Sequence, residues 1–459
     1  MQRSRYFAAL LLTALASLTI AALADAASAE EPFFPRAGNK GYNALDYDVH
    51  LTYRPSRRWL RASTTIEARA TEQLWKLSFD LRGLSVTSVT VDGEPVVRFS
   101  RGRDKLRIVP RWTIQRGERF TVVVRYHGRP RRVVDPDGSS EGWIPTGDGA
   151  LAVGEPQGTM AWIPCDNVPA DKASFTLRIN VPKRLAAISN GTLVGRHSSR
   201  DRHSYVWRED DPMSTYLAVV DIGRGQLVED EEDGIPSWTL VDPHQAGPSI
   251  PTLARLPEVI EFESHVFGPY PFGSAGSIVD VEPNLGYALE TQTRPIYAFV
   301  PDISTLVHET AHQWFGDSVG LKRWPNIWLN EGFATWTQWY YAERHSGRSA
   351  RQIFRKLYRV PASDSAFWEP PSGHPGLAKN LFGTSTYVRG AMALEALRVQ
   401  IGTKPFLHLL RRWATIHRHA SADIEDFISL AEEVSGQKLG GFFQRWLFAR
   451  GKPRGYGSI

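Results

Sequence analysis

The chain has 459 residues, 42% of them hydrophobic and 22% charged, which excludes an intrinsically disordered protein and leaves room for two sizeable cores. Its formal net charge of +5 comes from basic residues scattered among acidic ones. The densest cluster, Arg129, Arg131 and Arg132, is short and broken by Pro130, so it reads as a solvated loop and not as a nucleic-acid footprint.

At the N-terminus Arg3 and Arg5 precede an uncharged, mostly apolar run over 6–24. Small-residue patterns follow at Ala22-Leu23-Ala24, Ala24-Asp25-Ala26 and Ala27-Ser28-Ala29. Together they predict a cleaved signal peptide over 1–29 and a secreted protein. An uncleaved N-terminal anchor is the alternative, because the run is close to a spanning length. No later segment is apolar enough to span a bilayer, so no membrane span is expected in the mature chain. The single cysteine, Cys165, cannot form a disulfide within the chain and is expected to be a small buried hydrophobe.

From about residue 42 to 229 the chain is written in strands: Asp48-Val49-His50-Leu51-Thr52-Tyr53, Phe120-Thr121-Val122-Val123-Val124-Arg125-Tyr126 and Phe175-Thr176-Leu177-Arg178-Ile179-Asn180-Val181. Each is rich in β-branched and aromatic residues and closed by Gly, Pro or Asp. Strand follows strand with no helical pattern between, which predicts an antiparallel β-sandwich over 30–230. After the acidic stretch Glu229-Asp230-Glu231-Glu232-Asp233-Gly234 the pattern changes. Residues 252–267 read as a helix and 277–281 as a buried strand, and helices with Gly and Pro punctuation follow from Ile303. The expectation is an α+β protein, with a mainly helical second domain over 231–459.

His308-Glu309-Thr310-Ala311-His312 lies in a helical stretch that Asp302 or Ser304 can cap and Gly316 can end. Residues four apart share a helix face, so both imidazoles can address one ion. Imidazole suits zinc, and three protein ligands leave a fourth position for water. Glu309 can reach that water and take its proton. After eighteen further residues comes Trp328-Leu329-Asn330-Glu331-Gly332-Phe333-Ala334. A Glu is seldom buried unpaired among Trp, Leu and Phe, and a metal ion supplies the missing counter-charge. His308, His312 and Glu331 are therefore the candidate ligands of one Zn2+.

HExxH, eighteen residues, then Glu in Leu-Asn-Glu-Gly-Phe-Ala resembles the aminopeptidase N family of zinc gluzincins. His312-Gln313-Trp314-Phe315-Gly316-Asp317 strengthens the match, as do Pro164-Cys165-Asp166 with Asp171-Lys172-Ala173, and Pro212-Met213-Ser214-Thr215-Tyr216-Leu217. The resemblance implies a β-sandwich ahead of a thermolysin-like catalytic domain, and peptide substrates with a free N-terminus. Tyr287-Ala288-Leu289-Glu290-Thr291 resembles the family's Gly-Ala-Met-Glu-Asn segment, with Tyr for Gly, Leu for Met and Thr for Asn. It implies that Glu290 binds the substrate's amino group. A second acceptor, nine residues before the Pro-Cys pair, falls on Glu155, or on Gln157 if the loop is shifted. Thr386-Tyr387-Val388-Arg389-Gly390-Ala391 resembles the family's Tyr-x-x-Gly-Ala pattern and implies that Tyr387 donates to the oxyanion; the apolar run after it predicts a helix ending near Gly402.

Many family members carry a large helical C-terminal domain, whereas 72 residues follow Tyr387 here. They contain one or two amphipathic helices, such as 423–435, and are expected to complete the catalytic domain beside a more open cleft. Two rival functions remain: a thermolysin-like endopeptidase with the same ligands, and a catalytically silent secreted binding protein.

Overall fold

The computed structural model describes residues 31–282 and 285–456; the expected leader, 1–29, lies outside the described residues. Among the described residues no helix is long and apolar enough to cross a membrane.

The three runs read as strands lie inside Tyr42–Arg54, Arg119–Gly128 and Lys172–Pro182. In Lys172–Pro182 every second residue from Ala173 to Val181 is buried, the alternation a pleated strand imposes when one face meets a core. The main sheet has eight strands, in the order Thr192–Ser198, Arg202–Ser214, Lys172–Pro182, Tyr42–Arg54, Trp59–Ala70, Arg119–Gly128, Ser85–Val91 and Glu94–Pro95. The expected antiparallel character needs one correction. Tyr42–Arg54 pairs in parallel with Lys172–Pro182, Val49 opposite Leu177. The hairpin partner Trp59–Ala70 takes one edge of Tyr42–Arg54, and the long excursion before Lys172 leaves the direction of the second neighbour unconstrained by any tight turn. A second sheet contains Ser140–Ile144 and Ala150–Val153, whose residues are all buried. Cys165 is fully buried, as a small hydrophobe would be.

The acidic stretch proves to be part of a hairpin. Leu227–Glu232 pairs with Ile235–Val241 through Asp233 and Gly234, whose φ angles of 51° and 76° make the two-residue turn that matches strand twist. Leu227–Glu232 is the edge of a five-stranded sheet continued by Ala275–Val279, Ile296–Tyr297 and Ala288–Leu289. Its charges discourage pairing with another chain. The helix expected over 252–267 is two helices, α1 (Ala246–Leu253) and α2 (Leu256–Phe267). Pro257 stands in the opening turn of α2, where its missing N–H is harmless but a helix cannot run through. The buried strand lies two residues earlier than expected, at Ala275–Val279.

Helices then dominate: α3 (Ile303–Ala311), α4 (Trp328–His345), α5 (Ala350–Leu357), α6 (Ser365–Trp368), α7 (Gly390–Ile401), α8 (Thr403–Ile416), α9 (Ile424–Ser435) and α10 (Gly440–Phe443). Most of α4 is buried. Its Trp336 meets Phe406 of α8 edge-on with ring centroids 4.9 Å apart, and its Phe333 meets Phe427 of α9 at 5.1 Å. Polar contacts from Lys172, Asn190 and Tyr287 are among those that join the β-rich part to the helical part. Lys172 Nζ donates to the carbonyls of Asp317 and Ser318 at 2.6 and 2.9 Å. Asn190 Nδ2 donates to the Gln292 carbonyl at 2.7 Å, and the Tyr287 hydroxyl to the Ser140 carbonyl at 2.7 Å.

Candidate metal centre

Asp302 opens α3 by accepting the Thr305 N–H at 2.8 Å, the role a short acidic side chain has before a helix. The helix presents His308 from its last turn, and His312 follows its end. Glu331 enters from the first turn of α4. Its Oε2 lies 3.2 Å from His308 Nε2 and 3.4 Å from His312 Nε2. Donors about 2.0–2.1 Å from one tetrahedral ion stand roughly 3.3 Å apart, so both distances suit a single zinc-sized ion, and ligand atoms of the three residues all lie within 4.8 Å of one another.

The imidazoles are held in the tautomer that metal binding needs. Gln338 Nε2 donates to the carbonyl and hydroxyl of Ser304, both at 3.0 Å, which turns its Oε1 toward His308 Nδ1 at 3.2 Å. His312 Nδ1 donates to the Phe315 carbonyl at 3.1 Å. Protons on both Nδ1 atoms leave both Nε2 lone pairs free. Burial opposes ionisation of Glu331, but when the two rings are protonated the charge on His312 and hydrogen bonds from both imidazoles outweigh it and hold the carboxyl well below the usual range.

Three further carboxylates crowd this centre. Single oxygens of Glu290 and Glu309 lie within 4.8 Å of each other and of His312, and oxygens of Glu155 and Glu290 within that distance of Glu331. Oε1 of Glu155 and Oε1 of Glu290 are buried with no hydrogen-bond partner among the described residues. Burial raises the pKa of Glu155, Glu290 and Glu309 and mutual repulsion adds to it, while His312 acts the other way on Glu290 and Glu309. Such groups are costly unless a cation meets them. All but Glu290 line a cleft of about 640 Å3, which among the described residues has no Lys or Arg in its wall. Of the two loop alternatives, Glu155 faces the cleft. Gln157 is not in the cleft wall, and its backbone N–H donates to Glu141 at 2.9 Å.

Tyr387 sits in a five-residue π-turn, Ser385–Arg389, that runs into α7, and α7 ends at Gly402 as expected. Its ring lies 6.1 Å from that of His308 at 23°. Burial first, then the nearby carboxylates, push the phenol well above its ordinary pKa, so it stays protonated. Two glycines allow this closeness. A Cβ on Gly332 would come within 3.0 Å of the Gly390 backbone, and one on Gly390 within 3.0 Å of Gly332 Cα. Neither glycine can gain a side chain without moving α4 from α7, and these carry or adjoin Glu331 and Tyr387. Arg389 pins the turn to α6 and to the C-terminal segment by donating to the carbonyls of Trp368 at 2.6 Å and of Trp446 and Ala449 at 2.8 and 2.6 Å.

Sequence reasoning missed Gln338 and Gln313. Gln338 lies seven residues after Glu331, two turns along the same face of α4, and that spacing was the available signal. Gln313 fixes the Glu290 segment: its Nε2 donates to the Glu290 carbonyl at 3.0 Å and its Oε1 accepts the Thr293 N–H at 2.7 Å. No sequence pattern marked it for that contact.

Two imidazoles and a carboxylate around one point, with a free carboxylate beside them and an open cleft, define the class of single-ion metallohydrolases. Within that class the chain belongs to peptidase family M1. Residues 43–217 match the peptidase M1 N-terminal domain and residues 293–446 the peptidase family M1 domain. The chain is 26% identical over 330 residues to a probable aminopeptidase 2 of Sulfurisphaera tokodaii, covering 65% of this chain and 41% of that protein. It is 26% identical over 325 residues to aminopeptidase M1 of Arabidopsis thaliana, covering 65% and 36%. It thus spans about two fifths of the length of these curated relatives. An M1 zinc metallopeptidase of Deinococcus radiodurans superposes with a TM-score of 0.84 at 26% identity, over 92% of this chain and 98% of that one. A variant of that enzyme bound to a Tyr-Ser-Ala substrate gives the same score over 92% and 97%.

Proposed function

We propose that the chain is a zinc-dependent aminopeptidase that releases single residues from the free N-terminus of peptides. The observation that carries this reading is the pair of buried, partnerless carboxylate oxygens on Glu155 and Glu290 beside the three-ligand cluster. Two such acceptors, Glu155 in the cleft wall and Glu290 next to it, suit a substrate ammonium group. The relatives named aminopeptidases and the zinc metallopeptidase of D. radiodurans support it.

His308, His312 and Glu331 would hold the ion, which when bound polarises the scissile carbonyl and the attacking water. Glu309 takes the proton of that water and passes it to the leaving amine. The Tyr387 hydroxyl donates to the oxyanion of the tetrahedral intermediate. Glu290 and Glu155 fix the α-ammonium, so that only the first peptide bond reaches the centre.

Free and N-acetylated forms of the same peptides, compared by product analysis, test the reading. Release of the first residue from the free form alone is expected, with Glu290→Gln lowering kcat/KM. Cleavage of both forms at internal bonds would establish the endopeptidase alternative instead, and cleavage of neither the silent binding protein.

A further inference from the structure

One acidic group in the cleft has no part in the chemistry above. Asp137 stands on the turn between the strands Arg132–Val134 and Ser140–Ile144. Its Oδ1 accepts from the N–H and the hydroxyl of Ser139 at 2.8 and 2.7 Å, while its Oδ2 takes no hydrogen bond among the described residues. Asp137 and Ser139 line the same cavity as Tyr287, Leu289 and the metal cluster. The hydrogen bond from Tyr287 to the Ser140 carbonyl ties this turn to the segment that carries Glu290. Behind the turn, Asp135 and Glu141 form a buried carboxyl pair, and Glu141 accepts from Gly158 N–H at 2.6 Å. Burial first makes both carboxyls hold on to a proton, with repulsion from Asp135 adding at Glu141 and repulsion from Asp137 adding at Asp135. Arg131 and Arg132 line a separate pocket with Arg57 and Arg58, and Arg82, whose charge reaches Asp135 behind the turn, is paired with Asp104 at 2.7 Å.

We propose that this end of the cleft receives the side chain of the substrate's first residue, and that Asp137 selects a basic one, an N-terminal arginine or lysine. The inference rests on the aminopeptidase reading. With the α-ammonium held by Glu290 and Glu155 and the carbonyl at the metal ligands, the side chain leaves the first Cα away from the ligands. Tyr287 and Leu289 offer apolar walls to the methylenes of a long side chain, and Asp137 Oδ2 offers its charged end a charge-assisted hydrogen bond. A leucine can use the same walls but leaves Oδ2 unmet.

The test is kcat/KM for arginyl, lysyl, leucyl and alanyl arylamides with wild type, Asp137→Asn and Asp137→Lys at low and high salt. Wild type is expected to prefer the basic substrates. Because Asp137 is exposed, its pairing is partly screened, and Asp137→Asn should lower the arginyl-to-leucyl ratio up to about fivefold, or about 1 kcal/mol. Asp137→Lys should lower the ratio further, and salt should slow only the basic substrates. Equal turnover of leucyl and arginyl substrates by wild type, or a uniform loss across all four in Asp137→Asn, would overturn the inference and leave the aminopeptidase reading standing. Absence of turnover on every arylamide would take both down.

Discussion

At the scale of single residues, each side chain around the cluster has a separable job. Glu309 lies beside the ligands without being one, so Glu309→Gln should keep its zinc and lose roughly 10²–10⁴ in kcat; near wild-type turnover with metal present would remove it as the base. Tyr387→Phe deletes only the hydroxyl, and a loss of about 10²–10³ in kcat with little change in KM is expected. Gln338→Ala frees the His308 ring and should weaken zinc binding about 10–100-fold in a chelator competition. These residues were not equally visible beforehand. His308 and His312 were legible because helical spacing alone puts them on one face, Glu309 because it adjoins the first of them, and Glu331 because an isolated carboxylate amid Trp and Phe needs a partner. Glu290, Glu155 and Tyr387 could be assigned only through resemblance. Gln313 acts through a contact with Glu290 that joins chain segments no local pattern connects.

Among the elements, the contact between α4 and α7 matters most, because it sets the distance between Glu331 and Tyr387. Gly332→Ala and Gly390→Ala each force a Cβ into facing backbone. Overpacking of this kind costs about 1–3 kcal/mol. A lowered Tm and reduced turnover are expected in both, whereas Gly440→Ala, whose Cβ would meet no atom within 4 Å, should stay within about 0.5 kcal/mol of wild type. Wild-type stability in Gly332→Ala would show that the helices have slack there. The strands were legible through their period of two, and α9 through its start after Asp423. The parallel pairing of Tyr42–Arg54 with Lys172–Pro182 was not, since side-chain alternation reads the same in either direction. The acidic stretch did not stand out as a hairpin because strand propensity is low for Glu and Asp, and only its place at a sheet edge explains the charge. The π-turn at Tyr387 leaves no mark in the sequence.

For the whole molecule, the β-rich part is a wall of the site as well as a leading domain. It contributes Glu155 and Asp137 to the cleft and reaches the metal-bearing segment through Lys172, whose Nζ contacts the carbonyls of Asp317 and Ser318. The leader reading belongs at this scale too. If residues 1–29 direct export, N-terminal sequencing of the exported protein should begin after Ala24, Ala26 or Ala29; an intact Met1 in the membrane fraction would favour the uncleaved anchor. The account stands or falls on the three-ligand cluster. Its most direct test is zinc content and aminoacyl-arylamide turnover measured on one sample as isolated, after chelation and after zinc is restored. One zinc per chain is expected, with turnover lost and regained alongside the metal and with no zinc retained by His312→Ala. Full turnover in the chelated, metal-free protein would contradict it.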